Sequence, residues 1–249
     1  GNWTTAEVDD CVVIGSSALQ GVLTTDASGT IAIGKSALTA LTSGANNVAV
    51  GYNASKAITT GGGNTSLGES AMVDLVEGTN NTAIGKGAFG GALDATADAS
   101  TNNVFIGKDS GGGAWVTAVS NFNVAVGNNT MDAAMNGALQ NTAVGHSSLS
   151  AITTGDWNTS LGSLSLEDLS TGARNTALGF QSGLQLTGAT HNTIVGMNAM
   201  GNVTADVVGV TAIGYNAVPA SGLTTGANYT VGIGYSALAA LTSGAGNVA

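Results

Sequence analysis

Asn47-Val48-Ala49-Val50-Gly51 is followed at a fixed spacing of 17 residues by Asn64-Thr65-Ser66-Leu67-Gly68 and then by Asn81-Thr82-Ala83-Ile84-Gly85. The same five-residue phrase returns as Asn141-Thr142-Ala143-Val144-Gly145 and Asn175-Thr176-Ala177-Leu178-Gly179, and its glycine stands at positions 15, 34, 51, 68, 85, 107, 127, 145, 162, 179, 196, 214 and 234. Six of the twelve intervals are 17 residues and the rest run from 18 to 22. A fixed unit with occasional insertions is the signature of a solenoid, in which each repeat is one coil that buries its apolar face only against its neighbours.

Within each unit the β-branched Thr, Val and Ile favour a short strand and the glycine closes it at a corner. A second segment follows, as in Ser36-Ala37-Leu38, Ser70-Ala71-Met72 and Asn198-Ala199-Met200, and a turn such as Ser43-Gly44, Thr154-Gly155 or Thr171-Gly172 completes the unit. The expected fold is all-β: a parallel β-solenoid, or β-roll, of about 13 coils with a period near 17, occupying residues 1–249 as a single repeat domain. Ser236 to Ala249 repeats Ser36 to Ala49 with changes only at 239 and 246, so a longer fibre is expected to continue the pattern.

The composition agrees. Of 249 residues 39 are Gly, 4% are aromatic and only 8% are charged, while mean hydropathy is +0.26. Disorder requires the opposite balance of low hydrophobicity and high charge. The net charge of -10 and the five basic residues Lys35, Lys56, Lys86, Lys108 and Arg174 provide no patch that could neutralise a run of phosphates, so nucleic acid is not an expected partner. Cys11 is alone and belongs to no disulfide or cysteine metal site. No apolar run approaches the roughly 18 residues of a membrane span.

Strand alternation gives two faces. Thr or Val with Ile, Val or Leu suits the coil interior, which places Thr65, Thr82, Thr142, Thr159, Thr176 and Thr193 inward. The other face is then Ala32, Ala49, Ala83, Ala125, Ala143, Ala177 and Ala212, together with Ser66 and Ser160. Small residues on an outward ladder point to close packing by something else, and three copies around an axis would provide it. Nine asparagines four residues before the glycine, Asn47, Asn64, Asn81, Asn103, Asn123, Asn141, Asn158, Asn175 and Asn192, are expected to form a structural amide ladder from coil to coil.

These units resemble the head repeats of YadA-like trimeric autotransporter adhesins, and still more the repeats of phage tail fibres. Thr82-Ala83-Ile84-Gly85 and Gly214-Tyr215-Asn216-Ala217 carry the likeness. The resemblance covers nearly the whole chain, with a unit longer than that of the adhesin head. It implies a homotrimeric shaft or adhesion module on a virion or cell surface, presenting or contributing to contact with a glycan or protein receptor. A bacterial adhesin head is the alternative. A monomeric Thr-ladder binder of an ordered surface such as ice ranks third, because its threonines are assigned inward.

No catalytic residue, cofactor or metal site is expected. His146 and His191 are the only histidines: the first stands at the variable position after Gly145, and the second reads as a turn residue. Asp9, Asp10, Asp94, Asp98, Asp109 and Asp132 follow no calcium-loop spacing, and Gly61-Gly62-Gly63 and Gly111-Gly112-Gly113 lack the Lys-Ser/Thr of a phosphate loop. The long intervals 85–107 and 107–127 hold the candidate recognition loops, with Trp115 and Phe122 as their aromatics; Trp3 and Trp157 are weaker candidates of the same kind.

Overall fold

The computed structural model describes residues 9–23, 25–91, 93, 97–219 and 222–249; Trp3 and Asp94 lie outside them. It divides into two compact units, one of residues 1–123 with 134–137, the other of residues 124–133 with 138–249. The first carries β1 (Val12–Ile14), β2 (Ile31–Ile33), β3 (Val48–Val50), β4 (Thr65–Leu67), β5 (Thr82–Ile84) and β6 (Val104–Ile106). The second carries β7 (Val124–Val126), β8 (Thr142–Val144), β9 (Thr159–Leu161), β10 (Thr176–Leu178), β11 (Thr193–Val195), β12 (Thr211–Ile213) and β13 (Val231–Ile233). Three single 3-10 turns, Thr25–Ala27, Ala97–Ala99 and Thr225–Ala227, are the helical elements of the described residues, and no helix there is long and apolar enough to cross a membrane.

Every strand pairs parallel with its sequence neighbour inside its unit, so that Thr159 stands beside Thr176, Thr176 beside Thr193 and Thr193 beside Thr211. Adjacent parallel strands need a full crossover between them, and here one coil supplies it. Each unit is therefore an all-β parallel solenoid. Backbone pairing continues beyond the strands: Leu38 N donates to Ala54 O at 3.1 Å, Ser55 N to Ala71 O at 2.9 Å and Leu149 N to Ser165 O at 3.1 Å. The peptide groups of successive coils thus satisfy one another along the second segment as well as the strand.

The interior is filled chiefly from that second segment. Leu38, Met72, Leu149, Leu166 and Met200, each four residues after a strand glycine, are completely buried, and each such side chain contributes roughly 1.5–3 kcal/mol by leaving water. All five have positive φ, between 49° and 51°, a conformation that costs an L-residue roughly 1–2 kcal/mol. Burial of the side chain and the coil-to-coil hydrogen bonds together offset that cost.

With these large side chains inside, the strand can contribute only small ones. Ala32, Ala49, Ala83, Ala125, Ala143, Ala177 and Ala212 are buried at the strand centres, not displayed outward, and Ser66 and Ser160 are buried beside them. The expectation that the alanines form an outer intersubunit face is therefore corrected, and with it the inward assignment of the threonines. A coil of this length has room for one layer of bulk, and the second segment takes it.

Exceptions follow the same volume rule. Where a strand centre is large, the partner position four residues after a glycine becomes Gly: a Cβ on Gly111 would stand 2.6 Å from the Phe105 ring, and one on Gly183 would stand 3.0 Å from Ile194 Cδ1. Serines inside the coil bond to each other, Ser55 Oγ (four after Gly51) to Ser66 Oγ and Ser148 Oγ (three after Gly145) to Ser160 Oγ, each at 2.8 Å.

Candidate functional site

Since the strand centre points inward, the two flanking positions point outward. One outward column is Thr or Val: Thr65 and Thr82 in the first unit, and Thr142, Thr159, Thr176, Thr193 and Thr211 in the second. The other is Ile, Val or Leu, with Ile14 59%, Leu67 47%, Leu161 45%, Leu178 42% and Ile233 57% exposed. Among the described residues no strand carries a charged residue. Each unit thus turns a charge-free sheet face of ordered β-branched and aliphatic side chains to its surface. Contiguous apolar surface of this kind marks an interaction face more often than a bare exterior.

The asparagine column lies at the corner before each strand, and all nine side chains are buried. In the first unit Asn64 Nδ2 donates to Asn47 Oδ1 at 3.2 Å and to Gly78 O at 2.9 Å, while Asn64 Oδ1 accepts from the backbone of Asn81 at 3.0 Å. Asn81, Asn103 and Asn123 continue the pattern. Asn141, Asn158, Asn175 and Asn192 repeat it in the second unit. Each amide spends its donors and acceptor on the neighbouring coils and a turn carbonyl, which leaves it a structural tie and not a ligand-binding group.

The two aromatic recognition candidates separate. Trp115 is completely buried, its ring 4.5 Å from that of Phe89 and 5.6 Å from that of Phe105, so it is packed into the core and not carried on a projecting loop. Trp115 is corrected to a core residue; its Nε1 has no hydrogen-bond partner among the described residues. Phe122 is 54% exposed and has a φ of 60°. It stands immediately before Asn123, in a column that takes positive φ in every coil.

Ionisable groups are dispersed. His146 and His191 are both exposed. Burial raises the Asp74 carboxyl above its ordinary range against the opposing pull of Lys56, and raises Glu167, helped by Asp168 and opposed by His146. Among the described residues no three His, Cys, Asp or Glu side chains gather closely enough to hold a metal ion. Exposed charges pair along the position after the glycine, Lys86 with Glu69 at 3.1 Å, and Lys35 lies over the Tyr52 ring. In the second unit that same position is polar at Asn128, His146 and Ser163 and then apolar and aromatic at Phe180, Met197, Tyr215 and Tyr235, with the two tyrosine rings stacked at 5.2 Å.

No family model and no curated protein matches the chain.

Proposed function

We propose that the chain is a non-catalytic shaft or adhesion module of a homotrimeric surface fibre, of the kind found in phage tail fibres, with a bacterial adhesin head as the alternative setting. Its work in this reading is reach and presentation at a virion or cell surface, where it contributes to contact with a glycan or protein receptor. The observation that carries the reading is the charge-free outward face of the strands, repeated coil after coil. Three copies meeting through their Thr/Val and Ile/Val/Leu columns would remove from water the aliphatic side chains that a single chain leaves exposed, at roughly 25 cal/mol for each Å². The interface is thus moved from the alanines to the side chains that flank them.

The double variant Leu161→Lys/Leu178→Lys tests this directly. Both side chains are outward and on adjacent strands, so the coil keeps its core while a like-charged pair enters the proposed interface, where two desolvated cations cost several kcal/mol. The expected result is a folded chain with an unchanged circular dichroism spectrum and one third of the parent mass in solution. A double variant with the parent's trimeric mass would move the interface elsewhere.

A second reading is favoured by one observation: the threonine column faces outward. A regular Thr array on a flat face suits an ordered surface such as ice, and the inward placement that counted against this reading does not hold. Thermal hysteresis in the monomeric double variant or the parent would support it, and its absence in both would remove it.

A further inference from the structure

The residue five before each strand glycine, just before a ladder asparagine or before Cys11, Thr30, Val210 or Thr230 in its place, has positive φ throughout the repeat, and in the first unit it is almost always a residue that accepts this conformation: Asp10, Gly29, Asn46, Gly63, Asn80 and Asn102, with Phe122 the exception. The second unit departs from that rule. Its column reads Gln140, Trp157, Arg174, His191, Gly209 and Tyr229, with φ between 55° and 70° at every one. Backbone pairing keeps them on successive coils, since Trp157 N donates to Leu139 O, Arg174 N to Asp156 O, and His191 N to Ala173 O, each at 3.0 Å. All but Gly209 are exposed. Large flat side chains thus occupy positions where Asn or Gly would hold the same turn with less strain, and strain kept at a surface position points to a use for the side chain.

The side chains are also arranged with respect to one another. Trp157 Nε1 donates to Gln140 Oε1. The Arg174 guanidinium lies 4.4 Å from the Trp157 ring centroid, and neither ion pair among the described residues involves it. A guanidinium held by its face on an indole keeps its in-plane N–H donors available, and that fork fits a carboxylate. His191 stands one coil farther along, and the Tyr229 ring lies over Gly209, 2.7 Å from where a Cβ would be, so glycine there makes room for it. The column therefore alternates flat surfaces with hydrogen-bonding edges at a coil spacing of about 4.8 Å, close to the advance of one sugar residue along an extended polysaccharide.

We infer that this column is a binding strip for a linear saccharide carrying carboxylates, with Arg174 pairing the carboxylate and Trp157, His191 and Tyr229 contacting the sugar rings and hydroxyls. The single arginine's planar fork matches a carboxylate, and the chain's net charge of -10 disfavours the sulfated or nucleic-acid strands that need an extended basic patch. The strip deepens the surface-recognition part of the proposed function and rests on it, but does not depend on assembly.

Titration calorimetry with octasaccharides of galacturonic acid and of hyaluronan, each beside its carboxyl-reduced counterpart, tests the inference. Binding of at least one acidic octasaccharide is expected, at least tenfold tighter than its reduced form. Arg174→Asn and Trp157→Asn should each weaken it at least tenfold. Asn suits the positive φ, so both variants are expected to melt no lower than the parent, which separates lost binding from lost folding. No binding of either acidic probe, equal binding of the reduced forms, or unchanged affinity in Arg174→Asn would overturn the assignment. Light scattering on the same samples keeps the two proposals apart: a trimer that binds neither probe loses only the strip, and a monomer that binds loses only the trimeric fibre.

Discussion

Gly162→Ala is expected to destabilise the second unit by about 2–6 kcal/mol, the sum of backbone strain of order 1–3 kcal/mol and overpacking of similar size. Gly162 has a φ of 145°, and a Cβ there would stand 2.3 Å from the carbonyl oxygen of Gly179 in the next coil. Neither atom can retreat, because the oxygen belongs to a glycine held in the same column, whose own Cβ site is closed by Gly196 at 2.7 Å. The column of strand glycines is thus the line along which coils approach most closely, and any side chain in it forces them apart. Gly234→Ala supplies the comparison. Its φ is 133° but nothing lies within 4 Å of the added atom, so only the backbone part of the cost, about 1–3 kcal/mol, is expected. Equilibrium unfolding of both variants by urea, followed by circular dichroism, measures the difference; a Gly162→Ala variant no less stable than Gly234→Ala would show that coil crowding contributes nothing.

Asn158→Ala is the second large effect, expected at about 3–5 kcal/mol from several buried polar groups losing their partners at roughly 1–3 kcal/mol each. Asn158 Nδ2 donates to Asn141 Oδ1 at 3.0 Å and to Gly172 O at 2.8 Å, and its Oδ1 accepts from both the backbone and the side chain of Asn175 at 3.0 Å. Truncation removes the partners of the Gly172 carbonyl and the Asn175 amide at a corner where Asn158 itself is fully buried. Asn158→Asp should be worse at neutral pH, because a buried carboxylate replaces the donor and faces two oxygens. Burial would raise that carboxyl's pKa in the folded state, so the Asp variant recovers stability as pH falls through the raised folded pKa to the ordinary carboxylate value and loses it again as pH rises back through the raised pKa. Urea unfolding at acid and neutral pH reads both effects. An Asn158→Ala loss below 1 kcal/mol would mean the ladder is decorative.

The repeat and its strand positions were legible because a glycine and an asparagine recur at a fixed offset. Asn158 and Gly162 can be found from sequence alone, since stacking forces both columns into register. The orientation of the strand was not legible in the same way. Three residues contain a single alternation, and Thr176-Ala177-Leu178 reads as well with Leu178 inside as with Ala177 inside. What decides is the bulk supplied by Leu166 and its equivalents, and that is a property of the whole coil's cross-section. The sequence did hold a hint in its compensations: the strand centres Phe105 and Ile194 are large where Gly111 and Gly183 replace the usual Leu or Met.

Trp115 was misread for a related reason. Extra residues in a repeat suggest a projecting loop, but Trp115 stands eight residues after Gly107, at the core position that Leu41, Ile58, Leu75 and Met135 fill in other coils, and packs there against Phe89 and Phe105. Trp157 stands out in the sequence as a lesser recognition aromatic and His191 as a turn residue, but that they share one column with Gln140 and Arg174 is not legible there, because these turns have no Gly or Asn to announce positive φ. Only the backbone shows that these residues occupy the same left-handed corner as Asn46 and Asn80, and only the side-chain geometry shows Arg174 lying on Trp157.

The most direct test of the fibre reading is the mass of the unmodified chain in solution, measured by light scattering at several concentrations. A trimeric fibre segment gives three times the chain mass of 24.0 kDa, persisting on dilution. A monodisperse species of one chain mass would contradict it, and would leave the outward Thr and Ile/Leu/Val face as the surface of a solitary solenoid.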